Sequence, residues 1–127
     1  SADLRKASVY ELPFEDASFD LCMSFSVFEH LHEYERGLRE VARVLRPDGL
    51  FLLGMPSVNK MMEAGFLAIG FKGIEDHHVT TPGAVAKSFV STGFRIVRKK
   101  ALAFPLPGIV LYHNWLLEKS MVSAHGR

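Results

Sequence analysis

Residues 33–55 read EYERGLREVARVLRPDGLFLLGM, and this stretch carries the clearest structural pattern in the chain. Between residues 33 and 45 the apolar positions fall three and four apart, which predicts an amphipathic helix. Residues 46–49, Arg-Pro-Asp-Gly, end that helix and make a turn, because proline fixes its own φ and glycine tolerates the turn exit. Residues 50–55 form a short apolar run without alternation, which indicates a strand covered on both faces, as in parallel sheets.

The same two patterns recur on either side of this helix and strand. Another continuous apolar run predicts a buried strand over residues 19–25, and residues 3–10 are compatible with a shorter strand that leads into a loop. Further along we expect a short helix at 58–67, a helix that begins at Thr81-Pro82 and ends at Gly93, a strand at 94–100 and an amphipathic helix at 108–122. This alternation predicts an α/β fold with a mainly parallel sheet and right-handed crossovers.

Composition narrows the class of protein. The chain has 127 residues, enough for one domain with its own core. Lys plus Arg number 15 and Asp plus Glu 14, so no strong field favours nucleic acid or an anionic membrane surface as a partner. A single cysteine excludes a disulfide framework and fits a cytoplasmic protein. We find no apolar run long enough to span a membrane and no leader pattern, and therefore expect neither a membrane-spanning helix nor a signal peptide.

Three motifs resemble class I S-adenosylmethionine (SAM)-dependent methyltransferases, in particular the type 11 methyltransferase domain. Residues 10–20, YELPFEDASFD, are similar to the family's LPF-x-D-x-SFD signature. Glu29-His30-Leu31 follows the next strand, and residues 38–49, LREVARVLRPDG, resemble L-x-E-x-x-R-V-L-R-P-G-G. A weaker likeness links Thr81-Pro82 and residues 92–97 to the family's later helix and strand. The motifs occur in the family's order and at its spacing.

The resemblance implies a Rossmann-like, three-layer α/β/α fold that binds SAM. Laid on the family's seven strands, this sequence begins near the third, and we find no G-x-G-x-G turn of the kind that approaches the cofactor. We therefore expect a single partial domain over residues 1–127, truncated at its N-terminus, that by itself binds SAM weakly or not at all. Residues 57–80 are expected to form the active-site or substrate loop, and residues 101–127 an apolar C-terminal extension.

The resemblance also assigns candidate cofactor contacts. Ser8 stands where the family has an aspartate that holds the adenine amino group, Val9 can offer its backbone N–H to the ring, and Tyr10 belongs to the same segment. Ser24 and Phe25 lie at the carboxyl end of the strand 19–25, the edge at which open α/β sheets bind ligands. The alternative is that Ser8 only ends a strand, and that Ser24 is a strand-end serine bonded to backbone.

Glu29 and His30 are the candidate catalytic pair. Histidine titrates near neutral pH, so His30 could take a proton from a hydroxyl nucleophile while Glu29 orients it or binds substrate. The alternative is that the pair caps the next helix or packs on the cofactor. Ubiquinone-pathway O-methyltransferases carry a similar Glu-x-x-Glu-His as a metal-binding motif. Ser26 occupies the first Glu position here, so one ligand of such a site is missing. Residues 75–78, EDHH, place adjacent histidines on one backbone, which rarely reach one ion, so we predict no metal site.

The resulting functional hypothesis is methyl transfer from SAM to a small-molecule acceptor, with the isolated chain expected to be inactive. The apolar residues between 104 and 116 are compatible with core, with a homodimer interface or with the wall of a lipophilic substrate pocket. One alternative is a degenerate, non-catalytic methyltransferase-like domain that acts through dimerisation or a partner. Another is a metal-dependent hydrolase that uses His77, His78, Glu29 and His30.

Overall fold

The computed structural model describes residues 3–57, 80–103 and 110–120. The elements in chain order are β1 (Phe19–Phe25), a 3-10 turn (Phe28–His30), α1 (Tyr34–Val44), β2 (Leu45–Pro56), α2 (Pro82–Lys87), β3 (Phe94–Ala103) and β4 (Val110–Lys119). The helix expected at 58–67 and the EDHH cluster at 75–78 lie outside the described residues. So do most of the expected substrate loop and much of the apolar extension.

The strands form one sheet in the order β1-β2-β4-β3. β1 pairs with β2 in parallel, whereas β4 is antiparallel to β2 on one side and to β3 on the other. β1, β2 and β3 therefore run in the same direction, and their carboxyl ends lie at the same edge of the sheet. Because β4 is inserted between β2 and β3, the described sheet is mixed, and the expected mainly parallel pairing is not confirmed.

The helix and strand at the centre of the sequence form where the pattern predicts them. α1 spans Tyr34–Val44 and buries its apolar stripe, and β2 follows at once. The Arg-Pro-Asp-Gly turn becomes an irregularity inside β2, since Asp48 has a φ of 64°. A Cβ on Gly49 would lie 2.8 Å from the Arg46 carbonyl oxygen. A glycine is therefore required at the point where the chain enters the regular part of β2.

The start of α2 also agrees with its sequence signals. The Thr81 hydroxyl accepts a hydrogen bond from the Ala84 N–H at 3.2 Å, and Pro82 occupies the first turn. The regular helix ends at Lys87, earlier than expected, and the chain continues through turns to Gly93, whose φ is 105°. Glycine adopts that backbone at little cost, so Gly93 leads the chain into β3 as predicted.

Two predicted elements are wrong. The helix expected at 108–122 is the strand β4, because its side chains alternate between the two sheet faces and its backbone fills the place between β2 and β3. The short strand expected at 3–10 does not form. A single bridge joins Ser8 to Glu11 across a turn, and the Ser8 hydroxyl accepts the Tyr10 N–H at 3.1 Å, which favours the turn over an extended chain.

The hydrophobic core lies on one face of the sheet. Phe51 and Leu53 of β2 and Leu117 of β4 are fully buried there, beneath α1 and α2. Aromatic rings bridge the layers, with Phe89 packed edge-on against Trp115 at 5.3 Å between ring centroids.

The opposite face of the sheet exposes apolar side chains. Leu21, Met23 and Phe25 of β1 are 50%, 62% and 49% exposed, and Leu102 of β3 is 60% exposed. Burial of β1 on both faces was therefore a wrong prediction, because only its alternate residues, such as Cys22, turn towards the helices. Within the described ranges both helices lie on the core face, so a three-layer arrangement is not confirmed.

Candidate functional site

The loop before β1 is held against α1 by the ion pair of Glu40 and Arg43, which we call the Glu40–Arg43 fork. Arg43 donates two hydrogen bonds to the Glu40 carboxylate, both at 2.8 Å. It also donates to the carbonyl oxygens of Leu12 and Phe14 and, at 2.7 Å, to Asp16. Glu40 in turn accepts the Leu12 N–H at 2.7 Å. The hydrogen bonds from Arg43 are the main reason that the pKa of Glu40 is lowered.

A cavity of about 380 Å³ opens between this loop, β1 and α1. Val9 and Ser24, two of the residues predicted to bind cofactor, both line it. Its walls are mostly apolar and include Phe14, Phe28 and Phe51. The volume falls in the range of about 300–1,000 Å³ that is usual for small-molecule sites. The fold therefore brings a loop residue and a strand residue to the walls of one open cavity.

Two polar side chains of β1 face the core side and line the cavity. The Ser24 Oγ atom is buried and makes no hydrogen bond to any described residue. Buried hydroxyls are nearly always bonded, so an unpaired one beside a cavity marks a position for a polar ligand atom or a water molecule. Burial raises the pKa of the Cys22 thiol, which keeps it protonated and weakly nucleophilic at neutral pH.

Glu29 and His30 lie in the 3-10 turn that follows β1. The Glu29 side chain is only 1% exposed, and its Oε2 atom lies 3.5 Å from Nε2 of His30, which is 45% exposed. Oε1 of Glu29 has no hydrogen-bond partner among the described residues. The arrangement fits a carboxylate that orients an accessible imidazole, and it does not suit direct binding of substrate by Glu29. Neither residue lines the cavity, although Phe28 beside them does.

The other three predicted cofactor contacts, Ser8, Tyr10 and Phe25, do not line this cavity. Ser8 is exposed and its hydroxyl is engaged with the Tyr10 N–H. The Tyr10 hydroxyl accepts the Glu33 N–H at 3.2 Å, which ties the loop to the start of α1. Phe25 follows Ser24 on the strand and therefore points to the opposite sheet face, where it is half exposed.

The part of the chain that the structure describes contains no group of three His, Cys, Asp or Glu side chains arranged to hold a metal ion. No helix in the same ranges has the length and apolarity needed to cross a membrane.

The sequence alone did not identify Glu40 and Arg43 as the residues that hold the loop. Their spacing of three residues on a helix is a readable signal for a pair. Their reach to the loop carbonyls, however, depends on how α1 packs. The two residues are the Glu and Arg of the L-x-E-x-x-R-V-L motif, so the structure gives that motif a physical role.

Residues 1–53 match a protein family described as "Methyltransferase domain". A protein of Mycolicibacterium smegmatis named "Probable S-adenosylmethionine-dependent methyltransferase" is 44% identical over 55 residues, which cover 43% of this chain and 21% of that protein. The matched segment thus spans about a fifth of the length of this relative and of two similarly named proteins of Mycobacterium tuberculosis.

Solved structures share the fold over a longer range. The [4+2]-cyclase SpnF superposes with a TM-score of 0.71 at 16% identity and covers 93% of this chain and 57% of its own. The 1,6-didemethyltoxoflavin-N1-methyltransferase of Burkholderia thailandensis, solved with bound S-adenosylhomocysteine, gives 0.63 at 20% identity and covers 90% of this chain and 49% of its own. At such identities the likeness is one of fold.

Proposed function

We propose that this chain takes part in SAM-dependent transfer of a methyl group to a small molecule, since residues 1–53 match the methyltransferase domain family. One observation carries the proposal: Val9 and Ser24, which the family motifs assign to the cofactor, line the same cavity. The relatives that share this segment and are named as methyltransferases agree with it.

The residues present suit the adenosyl part of the cofactor. Aromatic side chains such as Phe14 and Phe28 line the cavity and would offer stacking surfaces to a flat base. The unpaired Ser24 hydroxyl offers a hydrogen bond to a ligand atom, and Val9 brings backbone from the loop to the same space. The Glu40–Arg43 fork contributes indirectly, because it fixes the loop that carries Val9 against α1.

Bound SAM would supply an activated methyl group on its sulfonium. His30 would accept the proton of a hydroxyl acceptor, and the buried Glu29 would hold the imidazole in place. Partial exposure of His30 leaves it accessible to an acceptor, and its position next to the carboxyl edge of β1 puts it near the place where ligands bind in such sheets. Alignment of donor and acceptor would supply most of the rate enhancement.

We further propose that the acceptor is lipophilic and that two copies of the chain pair through the open sheet face. The exposed Leu21, Met23 and Leu102 side chains support the pairing. Size-exclusion chromatography with light scattering tests it. A dimer that Met23→Lys converts to a monomer is expected, and a monomeric wild-type chain would contradict the pairing.

Alkylation of Cys22 tests the cofactor site, because this thiol lines the cavity and the chain contains a single cysteine. We expect millimolar S-adenosylhomocysteine to slow the reaction of Cys22 with iodoacetamide. Val9→Phe should abolish the protection by filling the cavity, whereas Val90→Phe, at a position that is 73% exposed, should leave it intact. Equal alkylation rates with and without S-adenosylhomocysteine in the wild type would overturn the proposed site.

A further inference from the structure

Two hydroxyl groups meet at the carboxyl edge of the sheet. Ser26 Oγ and Tyr112 Oη lie 2.9 Å apart, although 86 residues separate them in sequence. Ser26 is the residue directly after β1, two positions before the 3-10 turn that carries Glu29 and His30. Tyr112 lies on β4, opposite Pro56 at the end of β2.

Ser26 has a backbone conformation that a serine adopts at a cost. Its φ is 58°, in the left-handed region, and its N–H donates to the Gly54 carbonyl at 3.0 Å. A non-glycine residue there is held only when its surroundings favour that conformation. The hydroxyl bond to Tyr112 and the amide bond to β2 are two contacts that do so.

Gly54 makes the approach of Tyr112 possible. A Cβ at this position would lie 2.6 Å from Phe25 Cδ1 and 2.7 Å from Tyr112 Cε2, both far below van der Waals contact. The missing side chain lets the Tyr112 ring lie against β2, and from that position its hydroxyl reaches Ser26. The ring is therefore placed by packing before its hydrogen bond forms, which lowers the entropic cost of that bond.

The other end of the 3-10 turn is held separately. The Thr80 N–H donates to the Glu29 carbonyl at 3.1 Å, and the Thr80 hydroxyl donates to the Leu31 carbonyl at 2.8 Å. The turn is thus tied to β4 on its N-terminal side, through Ser26, and to Thr80 on its C-terminal side. Two independent contacts at its ends fix the direction in which His30 leaves the sheet.

We propose that Tyr112 is a positioning residue for the catalytic pair. Through Ser26 it holds the strand-to-turn junction, and so sets the placement of the His30 imidazole relative to the carboxyl edge. The value of this placement to the enzyme rests on the function proposed above for Glu29 and His30. The contact itself is independent of cofactor, and it can be measured on the 127-residue chain without any ligand.

Tyr112→Phe tests the proposal, because it keeps the ring beside Gly54 and removes only the hydroxyl. In ¹H–¹³C spectra of the histidine rings, with His30 assigned by its loss in His30→Gln, we expect the His30 signal to move. Amide exchange at Ser26 should accelerate by roughly three- to tenfold, the loss expected for one hydrogen bond. Ser26→Ala should produce the same changes, and the double variant no more than either.

Ser91→Ala is the matched control, since it removes an exposed serine hydroxyl that donates to the Ser88 carbonyl at 3.2 Å, far along the chain. It should leave the His30 signal in place. An unmoved His30 signal in both Tyr112→Phe and Ser26→Ala would overturn the proposal, even if their melting temperatures fall. Additive effects in the double variant would overturn it too. Failure of S-adenosylhomocysteine to bind would instead count against the proposed function alone.

Discussion

Replacement of Arg43 by Met should destabilise the chain far more than other changes at charged residues on its surface. The guanidinium makes two hydrogen bonds to Glu40 and three to groups of the loop before β1. The side chains of Arg43 and Glu40 are 33% and 14% exposed. Met retains most of the aliphatic stem, so the change isolates the loss of the charged fork.

The magnitude follows from the exposure of the pair. Breaking a fully buried ion pair by removing one partner costs about 3–5 kcal/mol, whereas a fully exposed pair contributes about 0–1 kcal/mol. The intermediate burial of Arg43 and Glu40 places the cost at about 2–3 kcal/mol. With a typical urea slope of about 1.5 kcal/mol/M, the midpoint of unfolding should fall by about 1.5 M.

Arg46→Met is the matched control. Arg46 contacts Asp20 at 2.8 Å, and the two side chains are 51% and 82% exposed. Loss of this contact should lower the free energy of unfolding by less than about 1 kcal/mol. Arg43→Lys should lie between the two, because it keeps the charge and loses the planar fork. If urea unfolding showed the same midpoint for Arg43→Met and Arg46→Met, the fork would not be what holds the loop.

Three further results are expected. Gly54→Ala should cost about 1–3 kcal/mol by urea unfolding, since its Cβ would lie 2.6 Å from a neighbouring ring, whereas Gly83→Ala, whose Cβ would have no atom of the described residues within 4 Å, should be neutral or slightly stabilising; equal midpoints would refute the close packing. The pKa of Glu40 is lowered in the fold, so its stabilising effect is present above its unfolded pKa and is lost as the pH falls through the folded one. The stability gap between wild type and Glu40→Gln should therefore shrink as the pH falls below about 4, and a constant gap would contradict the assignment. Burial and the charge of Lys99 lower the pKa of His113, so Lys99→Met should raise that pKa in an NMR titration, and an unchanged value would exclude the charge contribution.

Local signals predicted the parts of the fold that local interactions determine. The apolar stripe of α1, the cap at Thr81 and the glycine at Gly93 depend on neighbours within a few residues, and each appears in the structure. β4 was misjudged because a short apolar stretch is compatible with a helix or a strand. Its conformation is decided by pairing with β2 and β3, which are distant in sequence.

The candidate site also combines residues that sequence motifs indicate with contacts that only the fold reveals. Motif order led to Val9 and Ser24, and the fold places both on one cavity. The Ser26–Tyr112 contact joins residues that no local pattern connects, so only the sheet order could reveal it. The Glu40–Arg43 spacing was readable on the helix, but its hold on the loop required the packing of α1.

An NMR titration of the ¹⁵N-labelled chain with S-adenosylhomocysteine, carried to millimolar concentration, tests whether the cavity binds the cofactor. Weak binding is sufficient, because fast exchange shifts the amide signals of the residues that line the site. We expect the largest shifts at Val9 and Ser24, with small or no shifts on β3. The absence of shifts at Val9 and Ser24, or shifts concentrated on β3, would contradict a cofactor site in the cavity.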